Sequence, residues 1–353
     1  MVREKEPRIS PLSGVTRVGS SLESREGEPL PVSAFFFPGQ GKPLEIVSVA
    51  EELYNKYSLV QAMYEKASEV LGYSLADISF NQQEELKKTQ YAQPAIVVGA
   101  LAAYRVYQNE SKTKKGREGG FNSVPSVFAG HSVGEFAAAV AIGSLSFLNC
   151  VNIIGVRGKA MQEACDAQET GMDAVIGITE EQLTKFLKQF PTIDLCLINS
   201  QQQIVVGGPV EDLKKGRIWL KEFGVKAVNL KGANGAFHSR YMLSAEEEIA
   251  GIIEKTVFVK ANTPIIVVEG GVAKTIQDPK DIKRELINQT DRTFDWRGRT
   301  DYVSSQKPTE TVELAHTDLS EIIKKSSGGE YESIITRLGV AIGSRWRPTL
   351  QAA

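Results

Sequence analysis

The stretch Val124-Pro125-Ser126-Val127-Phe128-Ala129-Gly130-His131-Ser132-Val133-Gly134-Glu135-Phe136-Ala137-Ala138-Ala139-Val140-Ala141 decides the fold. Val124–Ala129 reads as a buried strand, Gly130–Gly134 as a turn, and Glu135–Ala141 as an alanine-rich helix. The turn matches G-x-S-x-G, and here it lies between a strand and a helix, where that motif has mechanical meaning. A sharp strand-to-helix turn lifts the Ser132 hydroxyl above the sheet. The first amides of the following helix then face a reacting carbonyl and can stabilise an oxyanion. Without that context, Ser132 would read as an ordinary helix cap in a glycine turn.

Further strands and helices alternate around this unit. Val32–Phe37 predicts a strand ending in the tight loop Pro38-Gly39-Gln40-Gly41. Helical periodicity follows through Ile46–Leu71, from Ala95 to Val106 after Pro94, and through Cys150–Ala164. Such alternation implies an α/β fold around a mostly parallel sheet. Residues 172–230 change the rhythm. Strands at Met172–Ile178, Asp194–Ile198, Ile204–Gly208 and Val225–Leu230, with helices at Glu180–Gln189 and Val210–Phe223, run β-α-β-β-α-β, the order of a ferredoxin-like unit. The expected division is a leader at 1–30, a core from 31–168 and 233–330, a small insert at 169–232, and a tail at 331–353.

Length and composition fit this division. The chain has 353 residues, enough for two units, and 42% are hydrophobic, too many for a disordered polymer. Lys and Arg total 41 against 43 Asp and Glu, a net charge of −2, so neither nucleic acid nor an anionic membrane is an expected partner. No apolar run approaches 18 residues. Three cysteines without metal-ligand spacing suggest free thiols in a reducing compartment. The leader contains the arginines and serines of a targeting segment, yet Glu4, Glu6, Glu23, Glu26 and Glu28 are atypical of one.

Ser132 needs a base, and the chain has three histidines. His131 adjoins the serine on the turn, where neighbouring side chains diverge, and suits a structural or substrate-contact role. His238, in Gly235-Ala236-Phe237-His238-Ser239, and His316, in Leu314-Ala315-His316-Thr317-Asp318, both sit in loops leading into helices. His238 is the preferred base. Arg157 falls with Cys150, Ile153, Ile154 and Met161 on one face of its helix, a guanidinium on an apolar stripe. Its partner is either an internal carboxylate or one on the substrate, which a guanidinium fork grips in bidentate fashion.

These pieces resemble the malonyl-CoA:acyl carrier protein transacylases, a family of fatty acid and polyketide synthesis. The shared motifs run in order: Phe37-Pro38-Gly39-Gln40-Gly41, Gly130-His131-Ser132-Val133-Gly134-Glu135, Arg157-Gly158-Lys159-Ala160-Met161-Gln162 and Gly235-Ala236-Phe237-His238-Ser239, then weaker matches at Leu286-Ile287-Asn288-Gln289 and Trp296. The resemblance spans roughly residues 33–325. It implies an α/β-hydrolase-like core with a ferredoxin-like insert, and a ping-pong reaction through a malonyl ester on Ser132. His238 would be the acid and base, and Arg157 the grip on the malonyl carboxylate. Backbone amides of Gln40 and Val133 would form the oxyanion hole, with Gln289 orienting the histidine. Phe237 is the residue type linked with malonyl rather than methylmalonyl units.

The resemblance also implies malonyl-CoA as donor, acyl carrier protein as partner and no cofactor. Ends without a hydrophobic period around one unit suggest a freestanding enzyme, expected to be a monomer. The free thiols and the leader suggest the cytoplasm or an organelle interior. Three stretches depart from the family pattern: Lys42-Pro43, Val267-Val268 and Ala315-His316-Thr317. Two other readings compete. A serine esterase or thioesterase would hand the acyl group to water, and a non-catalytic docking module would only bind the carrier protein.

Overall fold

The structure, a computed structural model, describes residues 33–113, 125–308, 310–314 and 334–337. The leader at 1–30, residues 114–124, and the Ala315-His316-Thr317 stretch lie outside the described residues.

Strand β1 (Ser33–Phe37) is buried throughout. Phe35 and Phe37 pack into one apolar cluster, and Ala34 and Phe36 into another. A strand alternates its side chains between two faces, so β1 lies in a sheet covered on both sides. Helices α1 (Pro43–Lys56) and α2 (Ser58–Leu71) follow. The single helical period expected over 46–71 is thus split at Tyr57, which takes an extended backbone. Gly72, at φ +77°, ends α2 in the left-handed geometry that glycine adopts readily.

Next come α3 (Leu75–Phe80) and α4 (Thr89–Thr113). Helix α4 starts six residues before the expected Ala95 and contains Pro94. Pro94 lies near the amino end, so its missing N–H leaves just the first turn a bond short.

Strand β2 (Val127–Gly130) leads into α5 (Gly134–Ala141), and α6 (Phe147–Ala167) follows with Ser146 as its N-cap. The insert then runs β3 (Thr170–Ile176), α7 (Glu180–Gln189), β4 (Asp194–Ile198), β5 (Gln203–Pro209), α8 (Val210–Glu222) and β6 (Lys226–Asn229). This is the β-α-β-β-α-β order read in the sequence. Thr179 and Gln182 close a capping box at the start of α7.

The chain returns to the core through α9 (Leu243–Lys255) and a hairpin of β7 (Ile265–Glu269) and β8 (Val272–Ile276). Gly270 and Gly271 form its turn, both at positive φ as a tight hairpin requires. Helix α10 (Pro279–Asn288), strand β9 (Phe294–Asp295), helix α11 (Trp296–Ser305), and strands β10 (Glu310–Glu313) and β11 (Ile334–Arg337) complete the described chain.

The main sheet has the order β11-β10-β1-β2-β7-β8. Its pairs are parallel except for the β7–β8 hairpin. Strand β11 corrects the reading of 331–353 as a tail: Ile334-Ile335-Thr336-Arg337 pairs beside β10. Its β-branched residues favour a strand, and the pairing covers an edge that β10 would otherwise present. The second sheet has the order β6-β3-β5-β4-β9. Its insert strands are antiparallel to one another, while β9 comes from the core and pairs in parallel with β4. Among the described residues no helix is long and apolar enough to cross a membrane.

Neighbouring parallel strands β1 and β2 end at the same edge. The Pro38–Gly41 loop and the Gly130–Gly134 turn therefore meet there, where open α/β sheets place their sites.

Candidate active site

Three described non-glycine residues have positive φ, and two of them are Ser132 at +52° and His238 at +61°. That geometry costs energy and clusters at functional sites. Glycines make room for the turn at Ser132. A Cβ on Gly130 would lie 2.2 Å from the Glu135 nitrogen, and one on Gly134 would lie 2.6 Å from the Phe37 and Pro38 carbonyl oxygens. One on Gly39 would reach the His131 ring at 2.4 Å. The His131 amide donates to the Phe37 carbonyl at 3.0 Å, tying the two loops together. At the other loop, a Cβ on Gly235 would strike the Cys165 sulfur at 2.1 Å.

These loops bring together residues 106 positions apart: Ser132 Oγ lies 2.7 Å from His238 Nε2. His238 Nδ1 lies 2.5 Å from the backbone oxygen of Gln289. A carbonyl can only accept, so Nδ1 carries the hydrogen and Nε2 keeps a lone pair facing the serine hydroxyl. Burial, reinforced by the Arg157 charge, lowers the His238 pKa to about 3. The imidazole is neutral at physiological pH and ready to take a proton.

Gln289 follows α10 and links several groups. Its Nε2 donates to the Ser132 carbonyl at 3.1 Å and to Glu135 Oε2 at 2.8 Å. Its Oε1 accepts from Arg157 Nη2 at 3.4 Å. Arg157 is buried, and its Nη1 donates to Gln93 Oε1 at 2.6 Å, while Nε has no partner. Its direct partners are neutral amides: among the described residues no carboxylate lies within 4.0 Å of the guanidinium. The internal acid that the sequence left open is therefore not there. Burial lowers the Arg157 pKa to about 9, with the Glu135 charge opposing the shift.

Gln40 sits in the β1 loop; its Nε2 donates to Thr89 Oγ1 at 3.1 Å and its Oε1 accepts from Gln93 Nε2 at 3.5 Å. Val133 opens α5 and is buried. Neither main-chain amide donates to a backbone carbonyl among the described residues.

The chain matches the acyl transferase domain family over residues 34–275. It is 31% identical over 261 residues to the malonyl CoA-acyl carrier protein transacylase of Bacillus subtilis, an alignment covering 72% of this chain and 78% of that enzyme. The chain belongs to the acyl transferase family. Another relative, the polyketide biosynthesis protein ThaF of Burkholderia thailandensis, is 28% identical over 330 residues, covering 92% of this chain. The chain spans 26% of that longer protein. Among solved structures it resembles a malonyl-transacylase in complex with a type II polyketide acyl-carrier protein, with a TM-score of 0.77 and 26% identity. That match covers 88% of this chain and 97% of the other.

In this acyl transferase, His131 is held in an aromatic cluster beside the serine turn. Its ring packs against Phe294 and Trp296 at centroid distances of 5.4 and 5.2 Å. Burial lowers its pKa to about 4, and Asn199 of the insert opposes the shift. Phe237 is half-buried where the main core meets the Met172, Cys196 and Val205 cluster of the insert. The structure thus brings Ser132, His238, Arg157 and Gln289 into one connected group, with Gln40 and Val133 on the two loops at the same sheet edge. His316 lies outside the described residues.

Three participants escaped the sequence reading. Gln93 lies two residues ahead of the expected Ala95 start of α4, where Pro94 signals a boundary. Glu135 has no sequence signal beyond its place in the motif, and Arg299 has no local signal at all. Glu135 Oε1 pairs with Arg299 Nη2 at 2.6 Å, and the same nitrogen reaches Glu285 at 2.6 Å.

Proposed function

We propose that this acyl transferase moves a malonyl group from malonyl-CoA to the phosphopantetheine thiol of an acyl carrier protein by a ping-pong route. The Arg157 environment carries this reading. A buried guanidinium held by neutral amides, linked through Gln289 to the Ser132 carbonyl, has its charge free for a carboxylate on the acyl group. A neutral acyl chain would leave it with no carboxylate in contact, only the more distant Glu135 charge.

In the first half-reaction Ser132 Oγ attacks the thioester carbonyl carbon while His238 Nε2 takes its proton. The tetrahedral oxyanion accepts hydrogen bonds from the Gln40 and Val133 amides. Collapse breaks the carbon–sulfur bond, and the coenzyme A sulfur leaves with the proton from Nε2. In the second half, the carrier thiol gives its proton to Nε2 and attacks the ester. Ser132 Oγ then departs and recovers that proton. Gln289 holds His238 through its carbonyl, a task that an Asp or Glu performs in many serine hydrolases. Malonyl-CoA and the carrier are substrates, and the route needs no cofactor. His131 supports the turn from beneath, and Phe237 lines the acyl pocket at the junction with the insert. An acyl-carrier-protein acceptor fits the solved complex of a structural neighbour.

Intact-protein mass spectrometry after brief mixing with malonyl-CoA tests the proposal. A malonyl adduct on the wild type and not on Ser132→Ala, discharged by holo carrier protein, is the expected result. Coenzyme A release without an adduct or carrier acylation would favour hydrolysis. Neither adduct nor release would leave a docking module.

A further inference from the structure

Glu135 is a buried charged group that the proposed reaction does not use. It occupies the first turn of α5, where the helix dipole favours an anion, with no surface exposed. Burial, the larger effect, raises its carboxyl pKa above the usual carboxylate range, and the Arg299 charge opposes that shift. Arg299 is equally buried. It reaches Glu135 Oε1 through Nε at 3.1 Å and Nη2 at 2.6 Å, and donates from Nη1 to the Asp295 carbonyl at 2.8 Å. Its guanidinium also lies over the Phe294 ring, 4.0 Å from the centroid. A buried ion pair is a poor source of net stability compared with apolar side chains of similar size. Its position beside Gln289 points to another use.

We infer that Glu135 and Arg299 are a positioning pair for the acyl site, acting through Gln289; this rests on the acyl-transfer reading above. The argument turns on which way the Gln289 carboxamide faces. Its two N–H donors go to the Ser132 carbonyl and Glu135 Oε2, and its oxygen faces Arg157. Rotating the amide by 180° would put its oxygen against the Glu135 carboxylate and its N–H groups against the Arg157 cation. Two like-signed contacts would replace two favourable ones, so the negative charge of Glu135 rejects the flipped amide. Arg299 in turn fixes the carboxylate from the opposite side.

Three consequences follow from one anchored residue. The Gln289 carbonyl stays on His238 Nδ1. The Ser132 carbonyl, which also accepts from the Glu135 amide at 3.0 Å, is pinned in its strained geometry. Arg157 keeps an acceptor on one side of its fork. The Glu135 and Arg299 side chains make no hydrogen bond to Ser132 Oγ, His238 or the Arg157 guanidinium; their hydrogen-bonded route to those groups runs through Gln289, while their charges also reach Arg157 and His238 across space.

The test combines proton NMR of the full chain with single-turnover acylation. The His238 Nδ1 proton, assigned by its loss in His238→Ala, reports the Gln289 contact without any substrate. Glu135→Gln removes the charge and keeps the size. The double variant Glu135→Leu with Arg299→Met replaces the pair by apolar side chains and leaves neither of the two charges alone. Thermal melting reports the folded fraction.

The expected result is a shifted or broadened His238 resonance in both variants. Acylation at saturating thioester should also fall at least tenfold with malonyl-CoA and acetyl-CoA alike. A folded double variant with the wild-type resonance and acylation within twofold of wild type would overturn the inference. A wild type that shows the resonance but is acylated by neither thioester would overturn the transfer reading instead, with the NMR comparison still deciding the role of the pair.

Discussion

Arg157 and His238 show how a few atoms set the behaviour of the site. Arg157→Ala is expected to lower the malonyl-CoA acylation rate by roughly 100-fold or more, the scale of a lost charge-assisted, bidentate contact. Acetyl-CoA acylation should be retained or improved; parallel rate measurements with the two thioesters check this, and equal losses would remove the carboxylate role. His238 has a pKa near 3, so kcat/KM for acylation should show no acid limb from this group between pH 5 and 8. A limb near pH 6.5 would contradict its burial. Stability carries the opposite signature. His131 and His238 have folded pKa values of about 4 and about 3, below the 6.5 of a free histidine, so the unfolded chain binds more protons in that window. Their contribution is complete above pH 6.5 and is lost on acidification towards pH 4, at up to ~1.4 kcal/mol per pH unit for each. Melting temperatures between pH 7 and 5 measure it.

At the level of elements, the strand-turn-helix from β2 to α5 tolerates no side chain at Gly130 or Gly134, which flank the bend. Gly134→Ala would force a Cβ into the Phe37 and Pro38 carbonyls, neither of which is a flexible side-chain end. The variant should lose acylation and about 3 kcal/mol or more of stability, since backbone must move to accept it. Native-like melting and full acylation would refute that. The cap of α7 offers a contrast. Thr179→Ala removes half of a capping box in the insert and should cost about 1 kcal/mol, with acylation unchanged.

Most elements with a strong period or a flanking turn signal were legible in the sequence. Helix α7 and strand β4 have the predicted bounds, because the Thr179 cap and the short apolar run Leu195–Ile198 mark them locally. Helix α4 was not legible at its start: Pro94 signals a boundary, yet contacts with α6 hold a further turn in front of it. There a Cβ on Gly158 would meet the Gln90 Cα at 3.0 Å. Strand β9, two residues long, had no pattern of its own and exists through its pairing with β4.

Across the whole molecule, the insert and core share a sheet and a set of polar contacts. Besides the β4–β9 pairing, Thr293 Oγ1 donates to the Leu195 carbonyl at 2.6 Å and the Tyr241 hydroxyl to the Thr192 carbonyl at 2.7 Å. Arg240 bonds Asp194 through its guanidinium and its main-chain amide, two residues beyond His238. Asp194→Ala should therefore loosen the His238 loop as well as the insert. Because Arg240 is largely exposed and solvent screens the pair, the stability loss should be near 1 kcal/mol, with a several-fold fall in kcat. Unchanged turnover would separate the insert contact from the placement of His238.

The sequence alone determined what depends on neighbours along the chain: the strained serine turn, the apolar helix face bearing Arg157, and the alternation that makes an α/β sheet. These follow from local sterics and periodicity. Tertiary structure decided what depends on distant encounters. Ser132 meets His238 across 106 positions, and Arg299 meets Glu135 across 164. It also decided that Arg157 is held by Gln93 and Gln289 rather than by an internal acid. A buried charge needs a partner, but only the folded chain shows which groups were brought close enough to serve, and which charge was left free for a ligand.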